Sequence, residues 1–338
     1  MTLTQQPTPK TPSRGSWRSL LSKPEFVTLA LIVLFCALVS LLSPQFLTVK
    51  TLFDTLRSSV TLGIFALGVL LVLAAGGIDV SFTAIAAFAL YSTTKLTTLV
   101  WPGAPFLAMV AVSLVIGTVL GLFNGAFVYR FKVPSLIVTI GTQYLYRGFL
   151  LAFIGTAHIM NVPGGMDDFA RVNLTRFQTP DGINVSLPIT FLFLVGAALL
   201  TQYILKNTLL GRAIFAVGGS VSIAERLGIR VSTVTLFVFG YAGLLAGLGG
   251  ILHATQNRLA NPFDLVGSEL DVIAAVVLGG ARVTGGRGTV LGTLLGVVLI
   301  VLINNNLVLM GVSSTWQKLV IGSIILVASG IFARRKGI

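Results

Sequence analysis

Residues 59–81, SVTLGIFALGVLLVLAAGGIDVS, decide the fold class. No ionisable side chain interrupts positions 59–78, and about 20 such residues are what a helix needs to cross a bilayer. The run then reaches Gly76-Gly77-Ile78-Asp79-Val80-Ser81. Two glycines let a helix break there, and Asp79 and Ser81 are residue types that cap a new helix, expected from about Val80. The rest of the chain is of the same kind. Of 338 residues, 55% are hydrophobic and only 10% charged, with a mean hydropathy of +0.95. A soluble domain carries roughly 25% charged residues, so a soluble enzyme, a disordered chain and a nucleic-acid binder are excluded. The expectation is an all-α polytopic membrane protein with no sizeable soluble domain.

Further apolar runs lie at 26–43, 80–99, 105–129, 135–155, 187–205, 233–253, 266–283, 290–303 and 316–333, which makes about ten transmembrane helices. The eighth is the weakest. Its purely apolar core, 272–279, would rise only about 12 Å, so a short or re-entrant helix is expected. Residues 1–24, rich in Thr, Ser, Gln and Pro, read as a disordered tail, and 25–338 as one membrane domain. The first run is longer than a signal-peptide core and lacks a small-x-small cleavage site, so it reads as a retained helix. The single cysteine, Cys36, sits inside that run and forms neither an internal disulfide nor a metal cluster.

The net charge of +13 is an orientation signal. With the N-terminus inside and spans alternating, the inner loops hold Lys10, Arg14, Arg18, Lys23, Arg130, Lys132, Lys206, Arg212, Arg226, Arg230, Arg282, Arg287, Arg334, Arg335 and Lys336. Glu25 and Glu225 are the acids on that side. Outside, Asp54, Asp167, Asp168, Asp181, Asp264, Glu269 and Asp271 balance Lys50, Arg57, Lys95, Arg171, Arg176, Arg258 and Lys318. Asp79 and Arg147 fall at membrane depth. Both termini are therefore expected to be cytoplasmic.

Two connections are long. Residues 156–186 form the external one. Residues 206–231 form the internal one, with a short amphipathic stretch at 220–227 ahead of Gly228-Ile229-Arg230. A connection of that length with its own helix is longer than usual and fits a docking role. Three motif echoes point to an inverted repeat: Gly76-Gly77-Ile78 with Gly249-Gly250-Ile251, 116–121 with 291–296, and 136–141 with 318–322.

The sharpest motifs follow one another along the chain: 76–81, Asn124-Gly125, 134–142 (PSLIVTIGT), and 267–289, which includes Glu269-Leu270-Asp271 and Gly285-Gly286-Arg287-Gly288-Thr289. Ser268 and Asp271 are spaced as a capping-box variant opening the eighth helix. In this order the motifs resemble the permease subunits of bacterial ATP-binding-cassette importers for simple sugars, the ribose, galactose, xylose and autoinducer-2 group, over about 26–333. The resemblance implies a separate ATPase subunit, a periplasmic sugar-binding protein and a second permease subunit, identical or related, in the bacterial inner membrane. It also identifies 206–231 with the family's cytoplasmic coupling loop, whose residues here are Gly211, Arg212, Gly219, Ala224, Glu225 and Gly228. Candidate pathway or gating residues are Asp79, Ser81, Asn124, Gln143, Arg147, Glu269 and Asp271. The chain departs from the family pattern at 218–225, 279–282 and 82–84, which bears on the substrate and partner.

No Gly-x-x-x-x-Gly-Lys-Ser/Thr occurs, so the chain has no phosphate cradle and no ATPase of its own. His158 and His253 are far apart with no cysteine near, so neither a metal site nor a cofactor is expected. The alternative to an ATP-driven permease is a self-contained proton- or sodium-coupled carrier, which needs buried ionisable groups along its path. Asp79 and Arg147 are the clear candidates. Each has a plain alternative role, Asp79 as a helix cap and Arg147 as a side chain reaching a membrane boundary. The sugar itself is not legible.

Overall fold

The computed structural model describes residues 24–42, 46–178, 182, 184–309 and the single positions 316, 319, 322, 323 and 326. The expected tail, the C-terminal basic cluster and most of the tenth run lie outside these residues. Twelve α-helices are described: α1 Pro24–Leu42, α2 Val49–Ala74, α3 Phe82–Val100, α4 Phe106–Phe131, α5 Ser135–Phe149, α6 Gly164–Ala170, α7 Phe191–Asn207, α8 Leu209–Gly219, α9 Val221–Arg226, α10 Val231–Asn257, α11 Glu269–Leu278 and α12 Val290–Leu309. One π turn, Leu150–Ile154, extends α5. A hairpin of β1 Asn173–Gln178 and β2 Asn184–Pro188 pairs antiparallel, with Phe177 opposite Val185.

Six of these segments are long and apolar enough to cross a membrane: Glu25–Leu42, Val49–Ala74, Phe106–Phe131, Ser135–Ile154, Val231–Asn257 and Val290–Leu307. A seventh arises if α7 and α8, bent by 74°, count as one span. The chain is a mostly helical polytopic membrane protein. Of the four expected runs not among these six, the tenth lies mostly outside the described residues, and the other three fall short for physical reasons. α3 is diluted by threonines and Lys95, α7 needs α8 to complete its length, and α11 with 10 residues rises only about 15 Å. The eighth run is thus the short helix expected of it.

The core is organised around α10, which packs on α2, α3 and α4. Its tightest partner is α4, because both carry glycine where they cross. A methyl group added at Gly117 would meet Gly247 N at 2.9 Å, and one at Gly243 would meet Gly121 Cα at 2.8 Å. In lipid, where burial of apolar surface gives no drive for association, such close backbone approach is what holds helices together. Ser113 adds a hydrogen bond from Oγ to Gly247 O at 2.8 Å. α1 sits at the periphery, joined to the α11–α12 unit by Thr28 Oγ1 donating to Leu278 O (2.6 Å) and Thr289 Oγ1 donating to Glu25 (2.9 Å).

Several local expectations need correction. α3 begins at Phe82 rather than Val80, because Asp79 turns the chain back on Ser81 before the helix starts. Ser268 makes no capping bond to α11; its backbone is already helical, so its Oγ donates to Leu265 O instead (2.7 Å). The Gly76/Gly249 echo is not a structural equivalence. Gly76 lies in the break after α2, whereas Gly249 and Gly250 lie inside α10, packed against Phe65 and Ala86. Within 206–231, residues 209–219 are helical as well, since the Thr208 hydroxyl caps α8 by accepting from Gly211 N (3.0 Å). The described part of 156–186 likewise holds α6 and most of the hairpin.

Candidate functional site: two polar clusters at a helix break

α2 ends because Gly76 takes φ +83°; Ala75, Gly76 and Gly77 N still donate back to Leu71, Leu73 and Val72 O, and residues 78–80 then cross to α3 without helical hydrogen bonds of their own. Their backbone groups need other partners, since an unpaired amide inside a membrane protein costs several kcal/mol. α5 supplies them. Ile78 N donates to Ser135 Oγ at 2.8 Å, Val80 N to Thr139 Oγ1 at 3.3 Å, and Thr139 Oγ1 to Ile78 O at 3.3 Å. Ser135 and Thr139 are one helical turn apart, so both face the break. Neither was singled out from the sequence, although both stand in the 134–142 motif.

Beyond the break a buried polar chain begins. Asp79 Oδ1 accepts from Ser81 N (2.8 Å) and from Ser81 Oγ (2.7 Å). Ser81 Oγ in turn accepts from Asn124 Nδ2 (2.7 Å), and Asn124 Oδ1 accepts from Tyr146 OH (2.9 Å). Asp79, Ser81, Asn124 and Tyr146 are all buried. The chain ties the break to α4 and α5; Asp79 closes a turn on Ser81, and Ser81, the residue before α3, makes no side-chain capping bond to the helix.

A second cluster lies where α3, α5 and α11 meet. Glu269 Oε1 accepts from Thr83 Oγ1, from Gln143 Nε2 (2.9 Å) and from Arg147 Nη2 (3.1 Å). The same guanidinium donates to Thr83 Oγ1 at 3.2 Å. The Arg147 and Glu269 side chains are 17% and 11% exposed, so this ion pair is largely desolvated. Arg147 thus has an acid partner from another helix. Glu269, which the charge count had put outside, is its partner within the helix bundle. Arg147 Nε is buried and has no acceptor among the described residues. Thr83, the second residue of α3, entered the sequence reading only within the 82–84 departure from the family pattern and was given no role there. Asp271 is half-buried two positions further along α11.

The loop residues are placed differently. Gly211 and Arg212 lie in the first turn of α8, Gly219 ends it, Ala224 is buried in α9, Glu225 is exposed there, and Gly228 follows at φ +77°. Gly218 is the residue that the sequence reading overlooked. It touches both the end of α2 and the α11–α12 connection. A methyl group there would lie 2.9 Å from Ala74 C and 2.7 Å from Gly286 N, and closer still to Ala74 O. Gly286 N donates to that same Ala74 O at 2.9 Å. Gly285, at φ +88°, packs on Gly76. Three backbones thus meet at one glycine junction. It joins the end of α8 to the break that carries Asp79 and Ser81, and to the connection below α11, whose first residue is Glu269.

Among the described residues no group of His, Cys, Asp and Glu is arranged to hold a metal. No solved structure matches the chain. Curated sequences do. The chain is 33% identical to the ribose import permease of Haemophilus influenzae over 311 residues, covering 92% of this chain and 93% of that protein. It is 34% identical to the ribose import permease of Escherichia coli K12 over 301 residues, 89% and 90% of the two chains. It is 32% identical to the autoinducer 2 import permease of Photorhabdus laumondii over 300 residues, 88% and 86%. Residues 51–329, which contain both polar clusters and the glycine junction, match the family described as branched-chain amino acid transport system / permease component, and the chain belongs to that family of transport permeases.

Proposed function

We propose that this chain is the pathway-forming subunit of an ATP-binding-cassette importer for a simple sugar or sugar-like polyol. The observation that carries the reading is the desolvated Glu269–Arg147–Gln143–Thr83 group, set where α3 and α11 both begin inside the bundle. Broken or short helices inside a membrane are where transporters commonly build their sites. The group offers a carboxylate, an amide, a hydroxyl and an unpaired guanidinium N–H, a set suited to exchanging hydrogen bonds with the hydroxyls of a neutral polyol. Relatives matched over most of their length are named for import of ribose and of autoinducer 2, which favours a sugar-like cargo over an amino acid.

In this reading Asp79, Ser81 and Asn124 hold the break in shape, Gln143, Arg147 and Glu269 gate the pathway, and Asp271 lies beside it. The chain sits in the bacterial inner membrane with about ten spans, an inverted repeat and both termini cytoplasmic. Residues 156–186 face the periplasm and meet a sugar-binding protein. Residues 206–231 dock a separate ATPase, with Arg212 and Glu225 at or beside the contact and Gly211, Gly219, Ala224 and Gly228 shaping it. A second permease subunit, identical or related, completes the pathway.

The test is uptake of labelled ribose and a panel of other pentoses and hexoses in cells lacking their own permease, with co-purification of the ATPase. Accumulation that requires the ATPase is expected. Uptake driven by a proton or sodium gradient without any ATPase would overturn the assignment.

A further inference from the structure

The apolar helix α12 carries a feature that neither polar cluster uses. Its membrane-capable segment, Val290–Leu307, holds three amides in a row, Asn304, Asn305 and Asn306. They stand about 21–24 Å from the start of the helix, within the roughly 30 Å of a hydrocarbon core. Polar side chains at such depth are costly, and each needs a reason. Two of them have one. Asn305 Nδ2 donates to Ser58 Oγ of α2 at 3.2 Å, and the buried Asn306 donates from Nδ2 to Leu302 O at 2.8 Å. Asn304 is half-buried, and no described residue bonds its side chain. What it lines is a cavity of about 430 Å³ between α2 and α12. Nine residues form the lining, and none is apolar. The three asparagines come from α12, and Thr51, Thr55 and Ser58 from α2. The other three are charged. Lys50 and Asp54 pair with each other at 3.5 Å, so among the described residues Arg57 is the one charge of the lining without a salt bridge.

We propose that this cavity is a sugar-binding site, separate from the Glu269 group, in which the Asn304 amide holds two adjacent hydroxyls of a neutral polyol. The proposal rests on the import reading above and narrows its cargo. An asparagine amide presents an acceptor and two donors side by side, and each sugar hydroxyl both donates and accepts. The neighbours add capacity of the same kind. Ser58 Oγ accepts from Asn305 and keeps its O–H to donate, and the Asn306 amide has spent a donor on Leu302 O while its Oδ1 can still accept. Six neutral polar groups around one paired charge and one free guanidinium suit an uncharged ligand. A branched-chain amino acid would lay its hydrocarbon side chain against polar groups, which would lose water without gaining hydrogen bonds. The volume is at the small end of the range of about 300–1,000 Å³ for ligand pockets, which fits a monosaccharide better than a longer sugar. α11, whose first residue is Glu269, packs on both α2 and α12, so one helix touches both walls of the cavity and carries the gating carboxylate.

The test measures binding of tritiated D-ribose, D-xylose and D-galactose to the permease held with its ATPase in nanodiscs. Asn304→Leu removes the amide at similar volume, and Asn304→Gln keeps it. The leucine variant is expected to weaken binding of the preferred sugar by about tenfold or more, and the glutamine variant to keep most of it. Melting temperature and ATPase co-purification are expected to match the wild type in both. Asn305→Leu, which cuts the bond to Ser58, is expected to lower the melting temperature. If Asn304→Leu does not fold, Arg57→Gln at the exposed edge of the cavity takes its place with the same expected loss. A local readout comes from Thr51→Cys in a Cys36→Ser background, where the bound sugar is expected to slow maleimide labelling. Equal binding by wild type and Asn304→Leu, unslowed labelling at 51, or binding of none of the three sugars overturns the site. Uptake that still requires the ATPase then leaves the import reading standing. A fall in melting temperature that tracks the fall in binding makes Asn304 a structural residue and also overturns the proposal. So does protection of position 51 by L-leucine and not by sugar, which assigns the cavity to an amino acid.

Discussion

Substitution of Gly218 by alanine is the sharpest probe of the glycine junction. The new methyl carbon would lie 2.7 Å from Gly286 N, where ordinary contact begins near 3.4 Å, and it would press harder still on Ala74 O. Neither neighbour is a flexible side chain, so the backbones themselves must separate by roughly 0.7 Å or more. Overpacking of this kind costs about 1–3 kcal/mol. The Gly286 N to Ala74 O hydrogen bond, at 2.9 Å, sits in the way and contributes about 0.5–1.5 kcal/mol when kept. The combined penalty is about 2–4 kcal/mol, concentrated where α8 meets the α2–α3 break. Gly219 is the matched control, because a methyl group there finds no atom within 4 Å. The assay pairs sugar uptake with the apparent melting temperature of the detergent-extracted protein and with ATPase co-purification. The alanine at 218 should lower melting temperature and uptake while the ATPase still binds, and the alanine at 219 should leave the melting temperature unchanged. If the two variants match in uptake and melting, the junction does not link the loop to the site.

Three further outcomes are expected. Asp79→Asn retains an oxygen that can accept from Ser81 N and Oγ, so it should be milder than Asp79→Leu, which orphans donors at about 1–3 kcal/mol each; folded yield and uptake measure this. Arg147→Leu leaves the Glu269 carboxylate buried with Thr83 and Gln143 alone and should cost about 3–5 kcal/mol, whereas Arg147→Leu with Glu269→Leu should recover stability but not uptake. A double-mutant cycle with no coupling between 147 and 269 would contradict the pairing. Gly243→Val drives a branched side chain into the α4 backbone, and the loss of folded protein should exceed that of Gly141→Ala, whose site is open.

The class of protein was legible in the sequence because lipid imposes so plain a rule. Apolar runs of helical length, with charges gathered between them, leave few alternatives. The break after α2 was legible too, since Gly76-Gly77 and Asp79 permit it locally. So was the shortness of α11, where the apolar core was too brief to span. Pairing was not. Glu269 belongs to Arg147, 122 positions earlier, and nothing local marks a carboxylate as the partner of one arginine rather than another. Ser135 and Thr139 gained their role only when α5 was laid against the break. The capping box at Ser268 and Asp271 has the right spacing, yet it failed because the residue's backbone was already helical.

Glycines show the division most clearly. At Gly76 the sequence alone was enough, because a left-handed φ at a helix end is a local property of a residue without Cβ. At Gly117, Gly243 and Gly218 the same residue type serves a different end, the contact of one backbone with another far away in the chain. Local chemistry thus determined where helices form and stop. Which helices touch, and which charges are thereby buried together, was decided by close packing in three dimensions, because those energies exist only between segments that the chain order does not bring together.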